Sequence, residues 1–140
     1  MHLSSKTRYS IMAVAELAVL EKGDKGIKPV NLSSISESQR ISLSYLEQLF
    51  AKLKKAGIVK SIKGPGGGYN LAKSTKEIRL SHIRYAIDSV AEKSETVCPE
   101  GGHCSKGFKC NSYILWIKLS ENINDFLDKI TLEDLLNNNF

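Results

Sequence analysis

Long apolar runs are missing from this chain of 140 residues. The longest, residues 11–20, already contains Glu16 and falls well short of the roughly 18 apolar residues that a membrane helix needs. Residues 1–6, Met-His-Leu-Ser-Ser-Lys, have neither the basic start nor the apolar core of a secretory signal. Neither a membrane nor an exported protein is expected; the expected compartment is the cytoplasm. Cysteine is scarce too. Cys98, Cys104 and Cys110 are all there are, and an odd set excludes a closed disulfide framework within one chain. Internal repeats are absent, and Asn137, Asn138 and Asn139 form the one low-complexity tract. With 41% apolar and 25% charged residues, the chain reads as one globular domain, or one domain plus an appendage, able to bury a core without covalent staples.

Charge is present but unevenly placed. The net charge is +5, yet residues 1–75 hold twelve Lys/Arg against five Asp/Glu, and residues 76–140 hold eight against ten. The positive excess belongs to the first half. Cations concentrated this way suit an anionic partner, and a nucleic acid above all, because neutralising phosphates releases condensed counterions.

Periodicity divides the chain into helices and one hairpin. Tyr9, Met12, Ala13, Leu17 and Leu20 follow helical spacing, with Ser4 or Ser5 as cap and Gly23 as the stop. Residues 32–39 form a short helix opened by Asn31, with Ile35 inward. After a break at Arg40 and Ile41, a third helix carries Leu46, Leu49, Phe50 and Leu53, and Ser44 and Glu47 stand at capping-box spacing in front of it. Residues 58–63 and 69–71 read as two strands around a Gly-Pro turn. Leu80, Ile83, Ile87 and Val90 mark a helix capped by Ser81. Trp116, Leu119, Ile123, Phe126 and Ile130 form a heptad-like stripe on a long one, and Thr131 and Asp134 open a last capped turn. Helix, short helix, helix and hairpin in this order describe a winged helix-turn-helix. The expected fold is mainly α with a small β-hairpin. Residues 1–75 are its DNA-binding part, and residues 76–140 a dimerisation part that includes a cysteine loop at 91–110.

In that architecture the third helix enters the major groove. Ser44, Tyr45, Glu47 and Gln48 lie near its front; Gln pairs bidentately with adenine and Glu accepts from cytosine. Lys52, Lys54 and Lys55 at the far end, with Lys6 and Arg8 at the chain start, suit phosphates. The turn at Lys63, Gly64, Pro65 and Gly66 is glycine-rich, which fits a backbone that turns sharply or closely approaches something, and Lys60 adds charge beside it. Residues 67–74 bear a superficial likeness to a phosphate-binding P-loop. Ala72 stands where its second glycine belongs, so a nucleotide hydrolase is set aside.

Three cysteines within thirteen residues, and none in the rest of the chain, point to soft-metal binding. Five residues between successive cysteines is wider than the usual structural zinc pairing, and Gly101, Gly102 and Gly107 leave the loop free to wrap a cluster. Redox chemistry and coincidence are the alternatives.

These features resemble the winged-helix repressor family that includes the iron–sulfur cluster regulators of the IscR type. The likeness runs nearly end to end. It is densest at residues 3–9, 41–50 and 64–69, and the cysteine spacing favours the IscR branch over the nitric-oxide-sensing and iron-responsive ones. The resemblance implies a homodimeric, non-enzymatic transcription factor on double-stranded DNA, controlling genes of iron–sulfur cluster assembly, with a [2Fe–2S] cluster on Cys98, Cys104 and Cys110. It implies recognition by Ser42, Ser44, Glu47 and Gln48, with the wing around Lys63 reaching the minor groove. Glu47 corresponds to a family glutamate that disfavours one class of sites when the cluster is absent. Two positions depart from the pattern. Where the family has a histidine ligand three residues after the last cysteine, this chain has Tyr113, which leaves Tyr113 and the nearby His103 as candidates for the fourth ligand. Lys63 stands where relatives often have Arg. The rival expectations are an iron–sulfur or redox carrier, and a winged-helix repressor whose cluster site is degraded or filled by zinc.

Overall fold

The structure is a computed structural model that describes residues 3–88 and 110–140. Helix α1 (Ser5–Leu20) opens on Ser4, whose Oγ accepts the Thr7 N–H at 3.1 Å. It ends at Glu21, before Gly23. Gly23 instead enters a small ladder between β1 (Lys22–Gly23) and β2 (Gly26–Ile27). Strands of two residues carry no periodicity, so the sequence reading has no counterpart for this hairpin.

Helix α2 (Leu32–Gln39) is capped by the Asn31 carboxamide, which accepts the Ser34 N–H at 2.9 Å. Its end is a left-handed residue, Arg40 at φ 54°. The turn that follows is held by Ser36, whose hydroxyl donates to the Ile41 carbonyl at 2.6 Å, while the Ile41 side chain is buried. Helix α3 (Leu43–Lys55) then starts from Ser42, whose Oγ accepts the Tyr45 N–H at 3.3 Å. The expected box at Ser44 and Glu47 does not form. The chain is still extended at Ser42 and helical from Leu43, so Ser44 lies inside the first turn, past the capping position. Ser42→Ala is expected to lower stability by about 1 kcal/mol, checked by the urea midpoint.

The wing pairs β3 (Val59–Ile62) with β4 (Gly68–Leu71), from Val59↔Leu71 to Ile62↔Gly68. Val30 adds a rung on the other side of β4: its N–H reaches the Tyr69 carbonyl at 2.9 Å, and the Tyr69 N–H reaches its carbonyl at 2.8 Å. Helix α4 (Leu80–Ile87) is preceded by Arg79 as cap, and not by Ser81. Ser81 sits in the first turn, where its hydroxyl donates across to Asp128 at 2.7 Å. Val90 lies outside the described residues. Helix α5 (Tyr113–Lys129) stops at Ile130, which turns extended and accepts the Leu80 N–H at 2.9 Å. Helix α6 (Leu132–Leu136) opens on the expected box: Asp134 N–H to Thr131 Oγ1 and Thr131 N–H to Asp134 Oδ2, each at 3.1 Å. These bonds from Thr131 hold the Asp134 carboxyl below its ordinary range, so the cap persists as pH falls into the usual carboxylate range and is lost only below it.

One buried cluster joins these elements. It takes Ala13, Val14 and Leu17 from α1 and Leu46, Phe50 and Leu53 from α3, and continues through Ile78, Ile83 and Ile87 to Leu127 and Leu132. Each of the larger side chains, Ala13 aside, contributes about 1.5–3 kcal/mol. Phe50 also meets the Tyr69 ring edge-on, centroids 5.1 Å apart, so packing inside the core sets where the wing stands beside α3.

Candidate nucleic-acid interface and cysteine segment

The buried face of α3 determines what its other face can do. With Leu46, Leu49, Phe50 and Leu53 buried, Ser44, Glu47, Gln48, Lys52, Lys54 and Lys55 are left exposed. At about 100° per residue, Ser44, Glu47, Gln48 and Lys55 share one side. Polar groups of the kinds that can pair with base edges stand at the N-terminal end and cations at the other. Ser42 is exposed as well, with its oxygen engaged as the cap. Tyr45 is half-buried, its ring edge-on to Tyr9 of α1 with centroids 5.9 Å apart. That contact brings the first turns of α1 and α3 together, with Lys6 and Arg8 exposed on α1.

Lys63, Gly64, Pro65 and Gly66 form the exposed tip of the wing, closed by the Gly67 N–H on the Gly64 carbonyl at 3.0 Å. Gly64 and Gly66 have φ of +97° and +73°, and a side chain on either would meet nothing. Their glycine requirement is the backbone turn itself. Gly67 and Gly68 differ. A Cβ there would lie 2.2 Å from the Ile62 carbonyl oxygen and 2.3 Å from that of Val30, respectively. The requirement at those two positions is internal, set by the hairpin and by the Val30 rung. Gly68→Ala is accordingly expected to cost about 1–3 kcal/mol as an overpacked site, read from chemical denaturation.

Sequence reasoning missed a polar brace beneath the wing. Glu21 and Asn70 are both buried and joined by a hydrogen bond of 3.0 Å. A glutamate before Lys22 at a helix end reads as solvated charge, and no pattern in the chain pairs it with a residue 49 positions on. A second network was equally invisible. Asp88 Oδ1 accepts from Ser4 at 3.0 Å and from Thr7 at 3.2 Å, while its other oxygen pairs with Arg84, which also donates to Asn124 of α5.

Of the expected metal-ligating residues, Cys98, Cys104 and His103 lie outside the described residues. Cys110 is half-buried just ahead of α5, with its sulfur 3.2 Å from Ser112 Oγ. Ser112 accepts from the Trp116 indole N–H at 2.9 Å, which leaves its own proton available to the sulfur. That bond, and then the Ser112 backbone, hold the Cys110 thiol below its ordinary range. The thiolate is the metal-binding form, so the donor chemistry fits a soft metal centre. Tyr113, the first residue of α5, is half-buried and donates its N–H to the Cys110 carbonyl at 3.3 Å. Beyond it α5 exposes Leu115 (59%), Trp116 (38%), Leu119 (40%) and Phe126 (56%). No helix among the described residues is long and apolar enough to cross a membrane.

A core-backed helix whose polar face stands beside an anchored wing defines a winged helix-turn-helix DNA-binding regulator. The family described as Rrf2, iron-dependent transcriptional regulator, matches residues 3–138, and the chain belongs to it. It is similar to the HTH-type transcriptional regulator IscR of Pectobacterium carotovorum subsp. carotovorum (strain PC1), 46% identical over 138 residues, covering 99% of this chain and 80% of that one. The IscR of Vibrio campbellii is 44% identical over 139 residues, with 99% and 79% covered. Among solved structures, T. potens IscR superposes with a TM-score of 0.74 at 34% identity, covering 99% of this chain and 88% of its own. CymR (YrzC), the global cysteine regulator of B. subtilis, gives 0.73 at 31%, with 98% and 97% covered. Both IscR proteins of Pectobacterium and Vibrio are named HTH-type transcriptional regulators, which favours the regulator over the carrier.

Proposed function

We propose that the chain is a homodimeric, cytoplasmic regulator whose choice of operators depends on an iron–sulfur cluster. Residues 1–75 contact duplex DNA and residues 76–140 dimerise and carry the cluster. Cys98, Cys104 and Cys110 hold it, and a [2Fe–2S] centre is the cluster proposed; His103 or Tyr113 supplies the fourth ligand. When bound, the cluster supplies a signal of iron or redox state. The residues of the chain do the rest. Ser42, Ser44, Tyr45, Glu47 and Gln48 face the major groove, Lys63 to Gly66 approach a neighbouring groove, and Lys6 and Arg8 hold phosphates. Glu47 discriminates by cost, since a carboxylate left unpaired against a base edge opposes binding there. Genes of iron–sulfur cluster assembly are the proposed targets.

The observation that carries this reading is the Cys110 thiol, poised toward thiolate by Ser112 at the head of a helix with an apolar outer face. Asp88, bonded to α1 and through Arg84 to α5, offers a mechanical link, because it is the last described residue before the cysteine segment. A change of state in that segment would bias the start of α1 and the position of α5 together.

The test is anaerobic purification with iron, sulfide and zinc analysis, followed by gel shifts of the cluster-loaded and stripped forms at two salt concentrations. A regulator loses affinity steeply with salt and changes its preferred sites with cluster state. The phenol at Tyr113, a poor substitute for imidazole, favours one second reading: a repressor of the same fold with zinc in the cysteine site. Full zinc occupancy without sulfide would select it.

A further inference from the structure

We propose that Glu21 and Asn70 are positioning residues which fix the angle of the wing to the recognition helix, and thereby set how much DNA affinity the wing contributes. This rests on the DNA-binding reading above. Asn70 lies on β4, 5% exposed, and Glu21 closes α1, 6% exposed. One carboxylate oxygen, Glu21 Oε2, accepts from Asn70 Nδ2 and from the Leu71 backbone N–H, each at 3.0 Å. Asn70 Nδ2 also donates to the Lys28 carbonyl at 2.9 Å. The Glu21 backbone is tied at both ends: its N–H reaches Leu17 at 2.9 Å, and its carbonyl accepts the Lys28 N–H at 2.8 Å.

The Leu71 N–H belongs to the edge of β4 on which Val30 pairs with Tyr69. Two residues past that rung, a carboxylate takes the place of the missing strand's carbonyl. Burying a carboxylate among neutral amide donors is costly, and an apolar side chain would fill a core position more cheaply. What the bonds add is direction. Three hydrogen bonds among four donors and acceptors tie α1, the segment before α2, and β4 together, so β4 cannot tilt at its base without breaking one of them. The wing tip lies about five residues farther along the strand, on the order of 15 Å at 3.3 Å per residue. A tilt of about 10° at the base would displace that tip by roughly 2.5 Å and Lys63, one residue past the Ile62↔Gly68 pair, by roughly 1.7 Å, more than a hydrogen bond tolerates.

The experiment is a double-mutant cycle on the full chain, using a duplex selected from a random-sequence pool by the wild-type protein. Affinity is measured for wild type, Lys63→Ala, Glu21→Gln and the double variant. Lys63→Ala is expected to weaken binding about fivefold in the wild-type background, and less than about twofold once Glu21→Gln is present. Gln48→Ala, on α3, should cost the same factor in both backgrounds. Asn70→Ser should reproduce Glu21→Gln and serves as the test if the latter folds poorly. An undiminished Lys63→Ala effect in both brace variants would overturn the proposal, as would loss of folding in both. So would a silent Lys63→Ala in a wild type that binds DNA, while no duplex binding by wild type would remove the DNA-binding reading itself.

Discussion

Cys110→Ala is expected to abolish the visible absorption of anaerobically purified protein and to reduce bound iron at least tenfold, with helical content unchanged by circular dichroism. Cys110 lies ahead of α5 and is not part of the buried cluster, so its removal opens no cavity. The effect falls on the proposed donor set, in which three thiolates would become two. Ser112→Ala should act on the same atom more gently. It removes the hydrogen bond that does most to hold the Cys110 thiol low, and the thiol returns toward its ordinary range. Protons compete with iron for the sulfur. A thiol with a lowered pKa meets less proton competition at a given pH and so keeps its metal to lower pH than an ordinary one. Ser112→Ala is therefore expected to move cluster loss to higher pH, measured as bleaching across a pH series under argon. If Cys110→Ala retains iron and colour, sulfur from this residue does not hold the cluster.

How far the fold was legible follows from where information sits in the chain. The helix packing was readable because Leu46, Leu49, Phe50 and Leu53 repeat at the period of a helix with one buried face. The caps at Asn31 and Thr131 were readable because the side chain and the amide it serves lie three residues apart. Caps failed where two candidates competed. Ser42 and Ser44 have the same chemistry, and the choice depends on the left-handed turn at Arg40, which no side-chain pattern announces. Ser81 was assigned to Leu80 and its neighbours as a cap, yet its partner is Asp128, 47 residues away. The glycines of the wing were recognised but only partly explained. Two of them answer to contacts with Val30 and Ile62, which exist only after the sheet has formed. At the site, the exposed face of α3 could be read from its buried one. The Glu21–Asn70 brace and the Asp88 network, built from residues distant in sequence, could not.

Replacing Leu119 and Phe126 together by Asp is expected to convert the proposed dimer into a monomer and to weaken operator binding at least a hundredfold. Along α5, Leu115, Trp116, Leu119, Ile123 and Phe126 fall within about 100° of one another at helical spacing. Leu127 and Ile130 are turned inward instead. Among the described residues that outer face leaves Leu115, Leu119 and Phe126 exposed, and a contiguous apolar stripe of this kind marks an interaction surface. A second copy packed on it would remove the exposed half of each of these side chains from water, for about 1 kcal/mol apiece. A carboxylate at two of them opposes association, since an unpaired charge cannot be buried cheaply. The consequence for DNA is larger than for folding. A dimer places two recognition helices about 34 Å apart for successive major grooves, and the first contact delivers the second at high effective concentration. A monomer forfeits that gain while its α3 and wing stay intact. Sedimentation should therefore report the monomer, half-site affinity should stay near wild type, and only the paired site should fail. Equal loss on half-sites and paired sites would place the damage in the fold of the chain and not in its dimer.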